Sequence, residues 1–570
     1  MSPLRYWPCL LLLSCGWRDN GPKKCDSIPD KGDDTVRPAD DTAAASGWPG
    51  AFDANFLWET LQFDEAVDLG FDPDCLPAQE QVAAGAVTLT EVADDAGLSA
   101  SLSGGNTHGV GIGFFDVDGD GWADIFVANG IANFGSPSYD SALWHNNQDG
   151  TFSDVSAPSG IQSILTGFDT YSIAAADYDA DGDLDVYITA HPRDFLLQNN
   201  GSGAFTDVTE ATGAGGPDSV PASNGSSKIA AWGDFDRDGL LDVAVASSQF
   251  TNQPENGYLL RNKGDGTFSD ATTATGFQVA PEGNPCAVLW SDYNNDSHPD
   301  LWVWNDRGER TTNRTLMRNE GGAFTDVTTE VNATNPMGNP MGIDSADIDR
   351  NGWLDYYIGN IGPSALMQAL GDGTFADGAA AAGVRGEYGW GLGFEDFNLD
   401  GWWDLFMAQE DNLDYLTFTH LGEDPPLFEE QGWSHPAVPD GPSHNVAVAF
   451  ADYDHDGDVD LVTAGTGGTR LNLFRNDTDR GTNHWLHVRV PSTPGTGEFG
   501  GVTGRVVVRT GSDVQFRDLQ AGSSRASMNE MTVRFGLGQH TGADWVAVLW
   551  PDGRTSAVYN VEGNQVLEMP

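Results

Sequence analysis

Positive charge is what this sequence has least of. Five of its 570 residues are lysine, and Lys and Arg together number 27 against 85 Asp and Glu, a formal charge of −58 with an isoelectric point near 4.1. Duplex nucleic acid is excluded as a partner, because its phosphates would be repelled. Long apolar runs are missing too. The stretch inside "MSPLRYWPCLLLLSCGW" at the start is too short to cross a bilayer as a helix. A P-loop, an H-E-x-x-H pair and a nucleophile elbow are all absent, and the glycine-rich "GVGIGF" and "GTGGTR" lack the spacing of a dinucleotide fingerprint. No catalytic residue is nominated, and the chain is not expected to be an enzyme.

Aspartate in short turns is abundant. Residues 116 to 124 read "DVDGDGWAD", four carboxylates within nine positions. Charges this close repel one another unless a cation lies between them. Side chains at positions 1, 3, 5 and 9 of a tight turn can converge on one point, and the carbonyl at position 7 adds an oxygen. An all-oxygen, carboxylate-rich set suits calcium better than magnesium, and Gly121 at position 6 supplies the left-handed turn. An EF-hand is excluded, since its position 12 needs Glu and holds Val127, and the flanks "VGIGFF" and "IFVAN" are strand-like.

The turn recurs as "DYDADGDLD", "DFDRDGLLD", "DYNNDSHPD", "DIDRNGWLD", "DFNLDGWWD" and "DYDHDGDVD", seven loops with an average period of 56 residues. The candidate metal ligands are Asp116, Asp118, Asp120 and Asp124 in loop 1, Asp177, Asp179, Asp181 and Asp185 in loop 2, and Asp234, Asp236, Asp238 and Asp242 in loop 3. They continue as Asp292, Asn294, Asp296 and Asp300 in loop 4, and Asp347, Asp349, Asn351 and Asp355 in loop 5. Loop 6 offers Asp396, Asn398, Asp400 and Asp404, and loop 7 offers Asp454, Asp456 and Asp460 after Asp452. Up to seven Ca²⁺ ions are expected. Loop 4, with Asn294, Ser297 and Pro299 at positions 3, 6 and 8, loses both charge and turn geometry and should bind most weakly.

Each loop is preceded by a run with small side chains such as "SIAAAD" and followed by a strand-like run such as "VYITA". Then comes a hairpin signature, as in "LWHNNQDGTFSDVS". Four strands per period, radially repeated, predict an all-β fold, a seven-bladed propeller. The strand-like "TLTEVA" at residues 88–93 is expected to complete the seventh blade, whose own copy ends at "LNLFRND". Alternating apolar residues from His484 to Met569 predict a small all-β domain, in which "NHWLH" reads as strand, and Cys286 reads as a buried thiol.

The loops resemble the calcium-binding FG-GAP or VCBS repeats of integrin α-subunit propellers. In "NHWLHVRV", "GRVVVRTG", "VRFGLGQH" and "VAVLWPDGRTSAVYNVEGNQVL" the tail resembles the ASPIC/UnbV domain of the cartilage acidic protein family and its bacterial relatives. That family's S-N-R-x-G-I-G-A type of segment is replaced here by "GEFGGVTGR". The expected division is a signal over 1–15, a disordered tether over 16–47, an extension with a short helix over 48–87, the propeller over 88–480 and the tail domain over 481–570.

The N-terminus resembles a bacterial lipoprotein signal, which would lipidate Cys15, and Gly16 after it resembles the pattern exported to the outer membrane. Export permits a Cys25–Cys75 disulfide. Integrin-type propellers carry the calcium loops on one face. The resemblance leaves the other face to loops bearing Arg193, Arg307, Arg310 and Arg470 with His108, His191, Trp390 and His444, a set suited to an acidic protein or glycan ligand. The expected function is that of an exported, monomeric, non-enzymatic surface binding, adhesion or scaffold protein, touching a membrane only through its anchor. An enzyme or accessory acting on extracellular polysaccharide, and a lectin, are the alternatives.

Overall fold

The computed structural model describes residues 65–68, 86–98, 110–129, 141–216, 228–247, 257–277, 284–306, 316–335, 339–409, 414–422, 425–434, 444–466, 471–492 and 500–570. Seven four-stranded sheets account for most of them. Each begins with an innermost strand, the fully buried Val110–Phe115 in blade 1, and turns through a loop, in blade 1 into Asp124–Asn129 and the outer pair Ala142–Asn146 and Phe152–Asp154. The innermost strands of successive blades touch in a closed cycle, with that of blade 7 (His444–Ala451) against Val110–Phe115. The protein is a β-propeller.

Ring closure follows the sequence expectation. Leu89–Glu91 pairs antiparallel with Asn472–Asn476 and supplies the outermost strand of blade 7, pinned by Thr88 N–H donating to Thr478 Oγ1 at 2.9 Å. Small residues fit the crowded axis because the backbones there approach closely. A Cβ on Gly111 would lie 2.7 Å from the carbonyl oxygens of both Tyr171 and Ala526.

The tail folds as a four-stranded and a three-stranded sheet. Strand Glu65–Asp68 adds in parallel to Thr555–Glu562 at the edge of the larger one. A short helix was expected in this extension. That helix is untested at residues 48–64 and 69–85, which lie outside the described residues, while at Glu65–Asp68 the open sheet edge offers the backbone groups partners. Cys15, Cys25 and Cys75 also lie outside the described residues. Cys286 is buried.

The tail docks on the loop end of the ring. Arg489 donates to the Gly121 carbonyl (3.3 Å), Arg505 to that of Asp292 (3.2 Å) and Asn483 to that of Asn398 (3.0 Å). From there residues 520–530 enter the central channel. Trp232 N–H donates to Ala521 O, Leu392 N–H to Ser524 Oγ, Phe114 N–H to Met528 O, and Glu530 N–H to Phe450 O, all between 2.9 and 3.1 Å. Gln520 reaches Ser345 at 3.2 Å. Buried ion pairs surround this segment. Arg517 contacts Asp344 (3.0 Å) and the Phe394 carbonyl (2.6 Å), and Arg534 holds Glu395 at 2.6 Å.

Breaking a buried pair leaves a charge uncompensated, which costs about 3–5 kcal/mol, whereas exposed pairs contribute under about 1 kcal/mol. Arg517→Ala should therefore lower the unfolding free energy by about 3–5 kcal/mol, while Arg554→Ala, which removes a surface partner of Asp552, should cost under about 1 kcal/mol. Denaturant unfolding of the full chain checks both, and equal small losses would show that Arg517 does not hold the tail in place.

Candidate metal centres

Every loop is tied by the same two aspartates. Position 1 folds the turn: in loop 1, Asp116 Oδ1 accepts the N–H groups of Gly119 (2.8 Å) and Asp120 (3.1 Å), and Oδ2 accepts that of Gly121 (2.8 Å). Position 9 ties the loop to the third strand. Asp124 is 1% exposed, with Oδ1 accepting from Asn146 N–H (2.7 Å) and Oδ2 from Val117 N–H (3.0 Å). Asp185, Asp242, Asp300, Asp355, Asp404 and Asp460 repeat the first of these bonds with Asn199, Asn262, Asn319, Ala369, His420 and Asn476.

Position 3 is different. Oδ1 of Asp118, Asp179, Asp236 and Asp454 is buried with no hydrogen-bond partner. An unpaired buried carboxylate oxygen is costly, and here it recurs at one position in four loops. Oxygens of Asp116, Asp118 and Asp120 lie within 4.8 Å of one another, as do those of Asp177, Asp179 and Asp185, of Asp234, Asp236 and Asp242, and of Asp347, Asp349 and Asp355. These clusters could hold a metal ion, and an all-oxygen carboxylate set fits a hard divalent cation.

Burial, ahead of neighbouring charge and against backbone hydrogen bonds, pushes the carboxyls up. Asp177 rises to about 6, Asp234 and Asp292 to about 7, and Asp347 and Asp452 to about 8. Loop 4 keeps its shape despite its sequence. Ser297 adopts φ 68° and still donates its N–H to Asp292 Oδ2 (2.8 Å), so the expected loss of turn geometry is replaced by a strained residue in the left-handed region, worth about 1–2 kcal/mol. Arg505 lies beside it, and its charge opposes the upward push on Asp292.

Sequence reasoning missed the residue on the third strand above loops 1, 2, 3 and 5. His145 Nδ1 lies 3.2 Å from Asp124 and 3.5 Å from Asp118, Gln198 donates to Asp179 (2.7 Å) and Gln368 to Asp349 (3.0 Å). Arg261 reaches both Asp236 and Asp238 (2.5 and 2.6 Å). The signal was available in "WHN", "LQN" and "LRN", where this residue precedes the repeated asparagine.

The expected ligand face fares differently. Trp390 is 3% exposed beneath the Arg525 guanidinium, 4.1 Å from its ring centre, because the channel segment covers it. It does not face solvent. Arg193 is engaged by Asp207 at 2.6 Å and stacks on Phe195 at 4.0 Å. Arg307, Arg310, Arg470 and His108 lie outside the described residues, as does the side chain of His444.

The FG-GAP-like repeat family matches residues 116–188, 177–245, 234–303, 292–358 and 396–463, more than half of the sequence. The chain belongs to the FG-GAP-like repeat family. Residues 497–570 of this FG-GAP protein match the ASPIC and UnbV family. It is 26% identical over 489 residues to cartilage acidic protein 1 of Xenopus tropicalis, covering 81% of this chain and 64% of that one. To the Homo sapiens protein of that name it is 24% identical over 477 residues, covering 81% and 63%. It thus spans a little under two thirds of the length of these curated relatives. Among solved structures it is similar to an Agrocybe aegerita lectin recognising non-reducing terminal N-acetylglucosamine (17% identity, 58% of this chain and 81% of that one, TM-score 0.36). The Dos1 propeller is another (13% identity, 75% and 95%, TM-score 0.32).

The raised carboxyls set a pH dependence. A carboxyl whose folded pKa exceeds its unfolded value destabilises the native state when ionised, and the penalty lifts as pH falls through the folded pKa. Without metal, thermal stability should therefore rise as pH falls from about 8 to about 6, the window of Asp452, Asp347, Asp234, Asp292 and Asp177. His487 and His420, pushed down by burial, oppose this only below their ordinary value of about 6.5. With a divalent cation bound the trend should reverse, because protons then compete with the ion. Melting curves in chelator and in calcium check this, and parallel curves would show that the loops hold no cation.

Proposed function

We propose that this FG-GAP protein is an exported, calcium-stabilised, non-enzymatic binding protein of the cell surface. The observation that carries the reading is the buried, unpaired carboxylate oxygen at position 3 of four loops, in clusters whose donors are all oxygen. Calcium is the hard cation that accepts six to eight such ligands in a flexible loop, and extracellular modules hold it with dissociation constants of about 10⁻⁴ to 10⁻³ M. Sites that weak fill only outside the cell, which supports export, and the signal-like N-terminus with Cys15 supports a lipid anchor. Carboxylates committed to ions cannot also serve as general acids, which argues against a catalytic role for the loops. The high negative charge favours a monomer that keeps away from nucleic acid.

At 100 times its dissociation constant, each ion stabilises the fold by about 2.7 kcal/mol. Excess chelator should lower the melting temperature clearly, and calorimetric titration should show loop 4 filling last. Unchanged melting in chelator would remove the structural role of calcium. Cys15→Ser should release the protein from the membrane fraction of its native cells, and continued membrane association would rule out the lipid anchor.

A further inference from the structure

Blade 6 departs from the repeat in one region. In blades 1 to 4 and 7 the third strand ends in an asparagine whose Nδ2 donates to a loop carbonyl of the preceding blade, as Asn146 does to Tyr453 (2.9 Å) and Asn476 to Phe397 (2.9 Å). In blade 6 His420 stands there, stacked on Trp402 at 4.7 Å with its Nδ1 accepting the Gly422 N–H (2.8 Å). The outer strands Asp414–His420 and Phe428–Ser434 are seven residues each, where Ala142–Asn146 and Phe152–Asp154 of blade 1 have five and three. The ring does not require this: the inner strand of blade 6 is fully buried like those of its neighbours.

The lengthened strands and loop 6, with Asn398 and Asp400, form one wall of a cleft of about 610 Å³, and the tail domain forms the other. Two other cavities beside the tail, among the described residues, hold about 30 and 20 Å³. A volume of several hundred Å³ is that of a small-molecule site. Its single guanidinium is committed, since Arg350 donates to the Gly401 carbonyl (2.6 Å), lies 3.5 Å from Asp513 and covers Trp402 at 3.7 Å. An anion would meet the carboxylates of Asp400, Glu429 and Asp513 there, and one face of Trp402 is already covered. The walls present carboxylates and a hydroxyl beside side-chain amides such as Gln431. Glu429 is exposed, Asp513 is 44% exposed, and Thr419 Oγ1 is buried without a partner. Asp400, Glu429 and Asp513 outnumber Arg350 in these walls, which disfavours an acidic ligand, and acceptors set beside side-chain amides suit a neutral ligand with many hydroxyl groups in a small volume.

We infer that this cleft binds a neutral saccharide, whose hydroxyl groups donate to Glu429 and Asp513. The inference rests on the surface-binding reading above and adds to it a site and a ligand class. It also moves ligand recognition from the face opposite the calcium loops to the seam between blade 6 and the tail.

The test uses the full chain in calcium, titrated calorimetrically with cellotetraose, chitotetraose and mannotetraose, with tetragalacturonate as an acidic probe and a Lys/Arg-rich peptide as a cationic one. At least one neutral tetrasaccharide should bind. Glu429→Gln and Asp513→Asn should each weaken it about tenfold, and their combination should abolish it, with melting unchanged by Glu429→Gln, whose side chain is exposed, and little changed by Asp513→Asn, whose pair with Arg350 is half exposed. The inference is overturned if no neutral tetrasaccharide binds, if the double variant binds equally well, or if tetragalacturonate or the basic peptide binds more tightly. Adhesion of the same proteins to native cell-surface material separates the two readings. Equal adhesion by wild type and double variant, without saccharide binding, rejects the cleft and leaves surface binding standing; no adhesion by either rejects both.

Discussion

Crowded negative charge at one end of a ring is the constraint on which the rest of this structure depends. Seven turns place their aspartates side by side, and repulsion would spread them unless each carboxylate were assigned a partner. Backbone N–H groups provide much of the answer. Asp116 is held by three of them and Asp124 by two, and the position-9 bonds tie each loop to the third strand of its own blade. The same carboxylates that would bind an ion thus also build the blade.

The tail supplies the second part of the answer. Residues 481–570 hold seven of the chain's 27 basic side chains, Arg489, Arg505, Arg509, Arg517, Arg525, Arg534 and Arg554. Three of them, Arg505, Arg517 and Arg534, are buried against Asp518, Asp344 and Glu395. A buried pair is weak evidence of net stability, because desolvation offsets the attraction. Its consequence is specificity of docking: Asp344 and Glu395 point inward from the ring, and the guanidinium groups beside them come from the tail.

The ring was legible in the sequence because a repeat multiplies a weak local signal. Loops 1 to 7 each carry the same spacing, and the orphan strand near Leu89 matched the strand missing after Asn476. Contacts without a local pattern were not legible. The pairing of Arg517 with Asp344 spans 173 positions, and nothing near either residue announces it. Trp390 was misjudged for the same reason, since the segment that covers it lies some 130 residues further along. In the loops the ligand positions could be read directly, whereas the third-strand residues His145, Gln198 and Arg261 could be placed over them only once the register of the hairpin was known.

The closing strand has a consequence for how the chain reaches this state. Thr88 meets Thr478 across 390 positions, so the first strand of the ring to be synthesised stays unpaired until nearly the whole propeller has followed it. Contacts of such long sequence separation form late, because the entropy of closing the loop is lost before any bond compensates it. Residues 520–530 come later still and need an axis that the ring has already made. Folding of this protein is therefore an event of the completed chain, with Asn472–Asn476 exposing an unpaired edge until Leu89–Glu91 arrives.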